Sequence, residues 1–214
     1  MKIVEENIQI LKTARYYVIG SESSDIKSLY IVIHGYAQLA ADFIKEFEFL
    51  AGKKALIAAP EGLSKFYFRY KIGASWMTKE DRANEIKDYL IYLDLLFIEL
   101  KNKFKNISEA KINIIGFSQG VHTAVRWFCH TKNHIDNLIL CSSDFPKDAD
   151  FITLKEKLFL AQMYFIYGKQ DDVIGQDTYR KSIELLKEKK IKHKEITFDQ
   201  GHVIDQATLK KFIK

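Results

Sequence analysis

Apolar residues follow two alternating patterns along this chain. Short apolar runs, rich in β-branched and aromatic residues, are typical of strands, and longer segments repeat their apolar residues every three to four positions, as helices do. Most of the short runs are apolar almost throughout, which is typical of parallel strands covered on both faces. The predicted strands are 16–19, 29–33, 55–58, 112–115, 138–141, 163–167 and 194–198. Their alternation with helices predicts an α/β fold with a mostly parallel sheet.

The clearest helix lies between residues 86 and 104. Its apolar positions form one stripe at spacings of four and three: Ile86, Leu90, Leu93, Phe97, Leu100 and Phe104. The stripe is too short for a sustained heptad seam, so packing against the sheet is favoured over a coiled coil. Further helices are predicted over 39–50, 119–131, 177–189 and 205–213. Because the 214 residues contain no repeat, linker or low-complexity segment, we expect one domain, 1–214.

Charge and cysteine content indicate the partners and the compartment. The formal net charge of +5 comes from scattered lysines, and the densest basic stretch, 187–194, is typical of a solvated helix end. We therefore expect no nucleic-acid partner. Cys129 and Cys141 have no metal-ligand spacing, and the chain has neither a signal-peptide apolar region nor an apolar run long enough to span a membrane. A cytoplasmic protein with reduced thiols and no stable membrane insertion is expected.

Ser118 lies between Gly116 and Gly120, where a predicted strand turns into a predicted helix. A sharp turn there would expose the serine hydroxyl at the carboxyl edge of the sheet and would leave no room for side chains two residues before and after it. The bare Gly-x-Ser-x-Gly pattern arises by chance in roughly one chain of this length in fifteen. Its meaning therefore depends on what accompanies it.

A serine hydroxyl needs a base to become a nucleophile, and the base needs a carboxylate to orient it. Two aspartates, Asp171 and Asp172, follow the strand that ends at Gly168, and His202 follows the last strand. Serine, acid and histidine occur in this order in α/β-hydrolases. The pattern predicts His202 as the base and leaves both aspartates open as the acid.

Two backbone N–H groups are expected to stabilise the negative charge that develops on the substrate oxygen. One belongs to Gln119, directly after the serine, and the other to Tyr36, in the loop after the first central strand. His34, two residues before Tyr36, is expected to brace this loop rather than to react.

Six segments together resemble the carboxylesterase/phospholipase family of the α/β-hydrolase superfamily, which includes bacterial carboxylesterases and acyl-protein thioesterases. They are HGYAQLAADF, APEG, ASWM, GFSQG, YGKQDDVI and QGH, in the family's order, between about Leu29 and the carboxyl end. The resemblance implies a single-domain α/β-hydrolase with helices on both faces of the sheet. It also implies Asp171 as the acid, three residues after Gly168. The connection 142–162 is too short for a large cap domain.

These observations predict a serine hydrolase that cleaves carboxylic esters with short to medium acyl chains through an acyl-enzyme. The alternatives are a thioesterase or a peptidase-like hydrolase, because one scaffold hosts many chemistries. A binding protein without turnover is disfavoured by the intact serine, acid and histidine. The expected partner is a small-molecule ester or thioester, and no metal or organic cofactor is expected. The sequence does not indicate an oligomeric state.

Residues 61–77 form a long predicted loop with many aromatic rings. Long loops at the binding edge of a sheet are often functional, so Phe66, Phe68 and Trp76 are expected in the substrate pocket, with packing of the rings onto the core as the alternative. Trp76 is the strongest candidate because ASW matches the family. His122, one helical turn beyond Ser118, is a further candidate, with a packing role as its alternative.

Overall fold

The computed structural model describes residues 2–20, 26–52, 54–104 and 107–213. Within these ranges the strands are β1 (Tyr16–Gly20), β2 (Ser28–Ile33), β3 (Ala55–Pro60), β4 (Ser64–Phe68), β5 (Lys71–Ser75), β6 (Lys111–Phe117), β7 (Asn137–Cys141), β8 (Gln162–Gly168) and β9 (Lys194–Phe198). The α-helices are α1 (Ala40–Phe43), α2 (Arg82–Lys103), α3 (Gln119–His130), α4 (Phe151–Lys157), α5 (Gln176–Glu188) and α6 (Gln206–Phe212). The seven predicted strands are confirmed.

Seven of the strands form one sheet in the order β1-β3-β2-β6-β7-β8-β9. Every neighbouring pair is parallel except β1 and β3, which are antiparallel. The carboxyl ends of β2, β6, β8 and β9 therefore meet at one edge of the sheet. Open α/β sheets bind their ligands at this edge, so the loops that leave these four strands define where a site can lie.

Helices cover both faces of the sheet, each over its own apolar core. One core is formed with α2, α3, α4 and α5 and the other with α1 and α6. The predicted stripe on α2 packs into the first core, with Leu93, Phe97 and Leu100 fully buried. The α/β fold with both faces covered is thus confirmed. Of the helices described, none is long and apolar enough to cross a lipid bilayer.

The predicted loop over 61–77 contains a β-hairpin instead, formed by β4 and β5 in an antiparallel pair. Its turn follows Phe68, and Arg69 takes the positive φ of 51° that glycine or asparagine usually supplies in such turns. Because the turn lacks those residues, the sequence carried no hairpin signal. The loop prediction was wrong for this segment.

Two helical segments also differ from their predictions. Only the first turn of 39–50 is an α-helix, and Ile44–Leu50 forms a 3-10 helix. Ile44 and Phe47 are buried three residues apart, which suits three residues per turn. The connection 142–162 contains the short helix α4, whose N-cap Asp150 accepts hydrogen bonds from the N–H groups of Ile152 and Thr153. Seven residues are too few to show a helical period.

Candidate active site

Ser118 occupies the single residue between β6 and α3. Its backbone angles are φ 52° and ψ −124°, a region that residues with a side chain rarely adopt. Its N–H donates to the carbonyl of Cys141 at 3.0 Å, and its carbonyl accepts from the N–H of Val121 at 2.9 Å. These bonds tie the turn to β7 and to α3 and hold the serine at the carboxyl edge of the sheet.

The flanking glycines have a steric reason. A Cβ atom at Gly120 would lie 2.2 Å from the carbonyl oxygen of Ile33 and 2.6 Å from that of His34. A Cβ atom at Gly116 would lie 2.7 Å from the carbonyl oxygen of Gly120. Real side chains do not approach backbone atoms this closely, so only glycine lets α3 begin against β2 and fold back over β6.

Asp171 and His202 form a hydrogen-bonded pair on the loops after β8 and β9. His202 Nδ1 lies 2.8 Å from Asp171 Oδ2. Asp171 is only 3% exposed, and its other oxygen, Oδ1, accepts from the N–H groups of Val173 and Ile174 at 3.0 Å each. The neighbouring Asp172 is exposed. Of the two aspartates that the sequence left open, Asp171 is therefore the one that contacts the histidine.

Ser118 and His202 line the same cleft, which has a volume of about 290 Å³. The imidazole of His202 packs on the ring of Phe117 with centroids 4.9 Å apart. Since Asp171 occupies Nδ1, Nε2 is the ring nitrogen left to exchange a proton in the cleft. The other lining residues are Gly35, Tyr36, Gln38, Phe43, Glu46, Val203 and Ile204.

The loop after β2 places Tyr36 in the wall of this cleft. In the described part of the chain, neither the N–H of Tyr36 nor that of Gln119 has a hydrogen-bond acceptor. Both residues adjoin the cleft, since Tyr36 lines it and Gln119 follows Ser118. Two unpaired N–H groups beside a serine are what an oxyanion site requires.

His34 holds this loop from beneath. Its Nε2 accepts from the N–H of Gly62 at 3.0 Å, and its Nδ1 lies 2.7 Å from the carbonyl oxygen of Gly35. The two contacts require a proton on Nδ1 only. Burial lowers the pKa of His34, which keeps the ring neutral. The ring braces the Tyr36 loop, and both of its nitrogens are used in these contacts.

The four predicted pocket residues do not line this cleft. Trp76 is 1% exposed, and its Nε1 donates to the carbonyl of His34 at 2.9 Å, so its ring is buried against the Tyr36 loop. Phe66 stacks on the ring of Tyr36 with centroids 5.1 Å apart. Phe66 belongs to β4 and pairs with Gly73 of β5, so the hairpin determines the side on which its ring lies.

Phe68 and His122 also have other surroundings than the cleft that contains Ser118. Phe68 lines a second cleft of about 300 Å³ together with Lys71 and Ile72 of β5. His122 Nε2 lies 2.8 Å from Asp144 Oδ1. Burial raises the pKa of the Asp144 carboxyl, but the hydrogen bonds from His122, the backbone and Ser143, together with the attraction of His122, outweigh burial and hold the pKa below its usual value. The His122 ring is therefore paired with Asp144.

Several cleft residues had no sequence prediction, although their positions were open to inference. Val203 and Ile204 directly follow His202, and Phe43 and Glu46 lie three residues apart just beyond the Tyr36 loop. Their closeness in sequence to the predicted site residues was the one signal that could have placed them in the cleft. Among the residues described, no three His, Cys, Asp or Glu side chains are grouped as metal ligands.

A family comparison agrees with this geometry. Residues 70–214 match the sequence model of the phospholipase/carboxylesterase family. The chain belongs to that family. The matched region contains Ser118, Asp171 and His202 and begins after the Tyr36 loop. No curated protein matches the chain.

Solved structures show the same fold at low sequence identity. Esterase PE8 is 19% identical with a TM-score of 0.71 over 94% of this chain and 96% of its own. Zea mays acyl-protein thioesterase 2 is 16% identical with a TM-score of 0.70 over 93% and 96%. A carboxylesterase from Mesorhizobium loti is 13% identical with a TM-score of 0.71 over 94% of each chain. At these identities the likeness concerns the fold.

Proposed function

We propose that this protein is a serine hydrolase that cleaves carboxylic esters through an acyl-enzyme. The observation that carries the proposal is the hydrogen bond of 2.8 Å between His202 Nδ1 and the buried carboxylate of Asp171, on a cleft that also contains Ser118. A buried carboxylate on Nδ1 fixes the tautomer in which Nε2 is basic. Membership of the phospholipase/carboxylesterase family supports the same chemistry.

In the proposed reaction, His202 Nε2 takes the proton of the Ser118 hydroxyl as its oxygen attacks the ester carbonyl. The N–H groups of Tyr36 and Gln119 stabilise the resulting oxyanion, and the imidazolium gives its proton to the leaving alcohol. Water then attacks the acyl-enzyme with the same histidine as base, which releases the acid and restores the serine. Asp171 orients the ring and stabilises its positive charge throughout.

Short to medium acyl groups suit the cleft. Its volume of about 290 Å³ is at the lower end for small-molecule sites, and its walls include the apolar Phe43, Val203 and Ile204. The second cleft shares Gln38, Phe43 and Glu46 with the first. It offers room for the remainder of a substrate whose carbonyl lies at Ser118.

The test is a comparison of kcat/KM across matched substrates. p-Nitrophenyl esters of increasing acyl length, thioesters of the same acids and p-nitroanilides of the same acids distinguish an esterase, a thioesterase and a peptidase. We expect the shorter esters to be the best substrates and Ser118→Ala to remove their turnover. Faster cleavage of the thioesters or anilides would contradict the ester assignment, and no turnover of any substrate would contradict hydrolysis.

A further inference from the structure

The end of β5 contacts both halves of the proposed oxyanion site. We call residues 73–77 the bridging segment; it comprises the last residues of β5 and the two residues that follow. Its sequence is Gly73-Ala-Ser-Trp-Met77. Trp76 and Ser75 are each 1% exposed, so its contacts are made away from water.

The bridging segment holds the loop that carries Tyr36. The N–H of Ala37 donates to the carbonyl of Ala74 at 2.9 Å, and the N–H of Ala74 donates to the carbonyl of Gln38 at 3.3 Å. A Cβ atom at Gly73 would lie 2.7 Å from Ala37 Cα, so the two backbones are in direct contact. This pairing fixes the peptide that follows Tyr36.

The same segment holds the side chain of Gln119. Its Nε2 donates to Ser75 Oγ at 3.0 Å and to the carbonyl of Met77 at 3.1 Å. Its Oε1 accepts from the N–H of Trp76 at 3.2 Å and lies 3.3 Å from Ser75 Oγ. Both ends of the amide are therefore used, and the side chain of the first residue of α3 is tied to the bridging segment.

We propose that the side chains of Gln119 and Ser75 are positioning groups that set the separation between the two oxyanion donors. This inference rests on the proposed hydrolase function. The backbone N–H of Gln119 would stabilise charge on the substrate. The Gln119 side chain holds this residue against the bridging segment, and the same segment holds the Tyr36 loop. A donor helps only if it lies within hydrogen-bond distance of the developing oxyanion, and small displacements are costly in rate.

The first variant is Gln119→Met, which keeps the backbone N–H and nearly the same volume but removes all four side-chain contacts. We expect kcat to fall about 10-fold, less than the roughly 100-fold or more that deletion of a donor costs, because the donor is displaced rather than lost. KM and the pH dependence of kcat should stay close to those of the wild type, since the variant leaves His202 and Asp171 unchanged. Inhibition by a trifluoromethyl ketone, which binds serine as an oxyanion, should weaken by the same factor as kcat.

The second variant, Ser75→Ala, removes the hydroxyl between Gln119 and Met77. We expect a smaller loss of kcat, and the double variant should lose no more than Gln119→Met alone because both changes break one network. The kcat values are normalised to the concentration of Ser118 that a fluorophosphonate labels, so that unfolded protein is excluded from the enzyme concentration.

Asn113→Leu is the matched control. Asn113 is also a buried amide, and its Nδ2 donates to the carbonyls of Leu29 and Lys111 at 3.1 Å each, at the amino end of β6. Its loss should lower the melting temperature while leaving kcat per labelled serine unchanged. If the role of Gln119 were purely structural, Gln119→Met would likewise lower the melting temperature without changing kcat per labelled serine.

Unchanged kcat and unchanged inhibitor affinity in Gln119→Met would overturn the inference. If that variant does not fold, the same two measurements on Ser75→Ala decide, and no change in either would overturn it. Failure of the wild type to react with the fluorophosphonate would instead overturn the proposed function, so the two failures are distinguishable.

Discussion

Ser118 adopts backbone angles that cost a residue with a side chain of the order of 1–3 kcal/mol. The cost is offset by the bonds to Cys141 and Val121 and by the close approach of α3 to β2. Strain of this kind persists where the surrounding structure determines the backbone. Here it presents the hydroxyl of Ser118 to the cleft.

Relief of this strain should be measurable as stability. Ser118→Gly removes the side chain that conflicts with the positive φ, so we expect the melting temperature to rise by about 2–6 °C while hydrolysis is lost. Ser118→Ala is the control, because it is equally inactive but keeps the Cβ atom and the strain. Equal melting temperatures for the two variants in thermal unfolding would contradict a strained turn.

The role of the buried Asp171 carboxylate can be tested against its exposed neighbour Asp172. Asp171→Asn keeps an oxygen for the N–H groups of Val173 and Ile174 but allows the wrong tautomer of His202, so we expect kcat to fall about 10⁴-fold. Asp172→Asn changes an exposed neighbour and should leave kcat within about 2-fold. Steady-state kinetics of both variants decide the assignment, and a larger loss for Asp172→Asn would reverse it.

The β4–β5 hairpin is one element that the sequence patterns did not predict. The strands β2, β3, β6, β7 and β8 were predictable because they are mostly apolar and buried, whereas β4 and β5 are short and partly exposed. The missed hairpin also affected a predicted site residue. Trp76 was expected in the pocket, but β5 pairs with the Tyr36 loop and the Trp76 ring is buried against that loop.

A second contact between elements involves Asp148, which joins α2 to α3. Its two oxygens accept from Arg82 at 2.6 Å and from Arg126 at 2.8 Å. Burial alone would raise the pKa of the Asp148 carboxyl, but the hydrogen bonds and charges of the two arginines outweigh it and hold the pKa well below its usual value. Arg126 is only 8% exposed, so removal of its partner leaves a buried charge.

We expect Asp148→Asn to lower the free energy of unfolding at pH 7 by about 1–2 kcal/mol, a modest figure because Asp148 is partly exposed to solvent. The unfolded carboxyl has a pKa of about 3.9 and the folded one a lower value, so the stabilisation is full above that pH and is lost as the pH falls. We therefore expect the free energies of unfolding of the wild type and Asp148→Asn, measured by urea titration, to differ less at pH 3 than at pH 7. A difference that does not change with pH would contradict the ion pair.

For the whole molecule, the parallel sheet brings together groups that are far apart in the chain. Tyr36, Ser118, Asp171 and His202 lie on the loops after β2, β6, β8 and β9, and the strand order places these ends at one edge. This convergence was predictable from the order of strands and loops. Which aspartate faces the histidine was not predictable from spacing alone, because it depends on the turn in which Asp171 N–H donates to the carbonyl of Gly168.

The proposed reaction requires Ser118 to be an activated nucleophile, a claim that covalent labelling tests. The folded wild-type protein is incubated with a fluorophosphonate, and the intact mass is compared with that of Ser118→Ala and His202→Ala. We predict a single adduct on the wild type, none on Ser118→Ala, and labelling slowed at least about 100-fold in His202→Ala, since the base then no longer removes the serine proton. An unlabelled wild type, or an adduct that persists in Ser118→Ala, would contradict the claim.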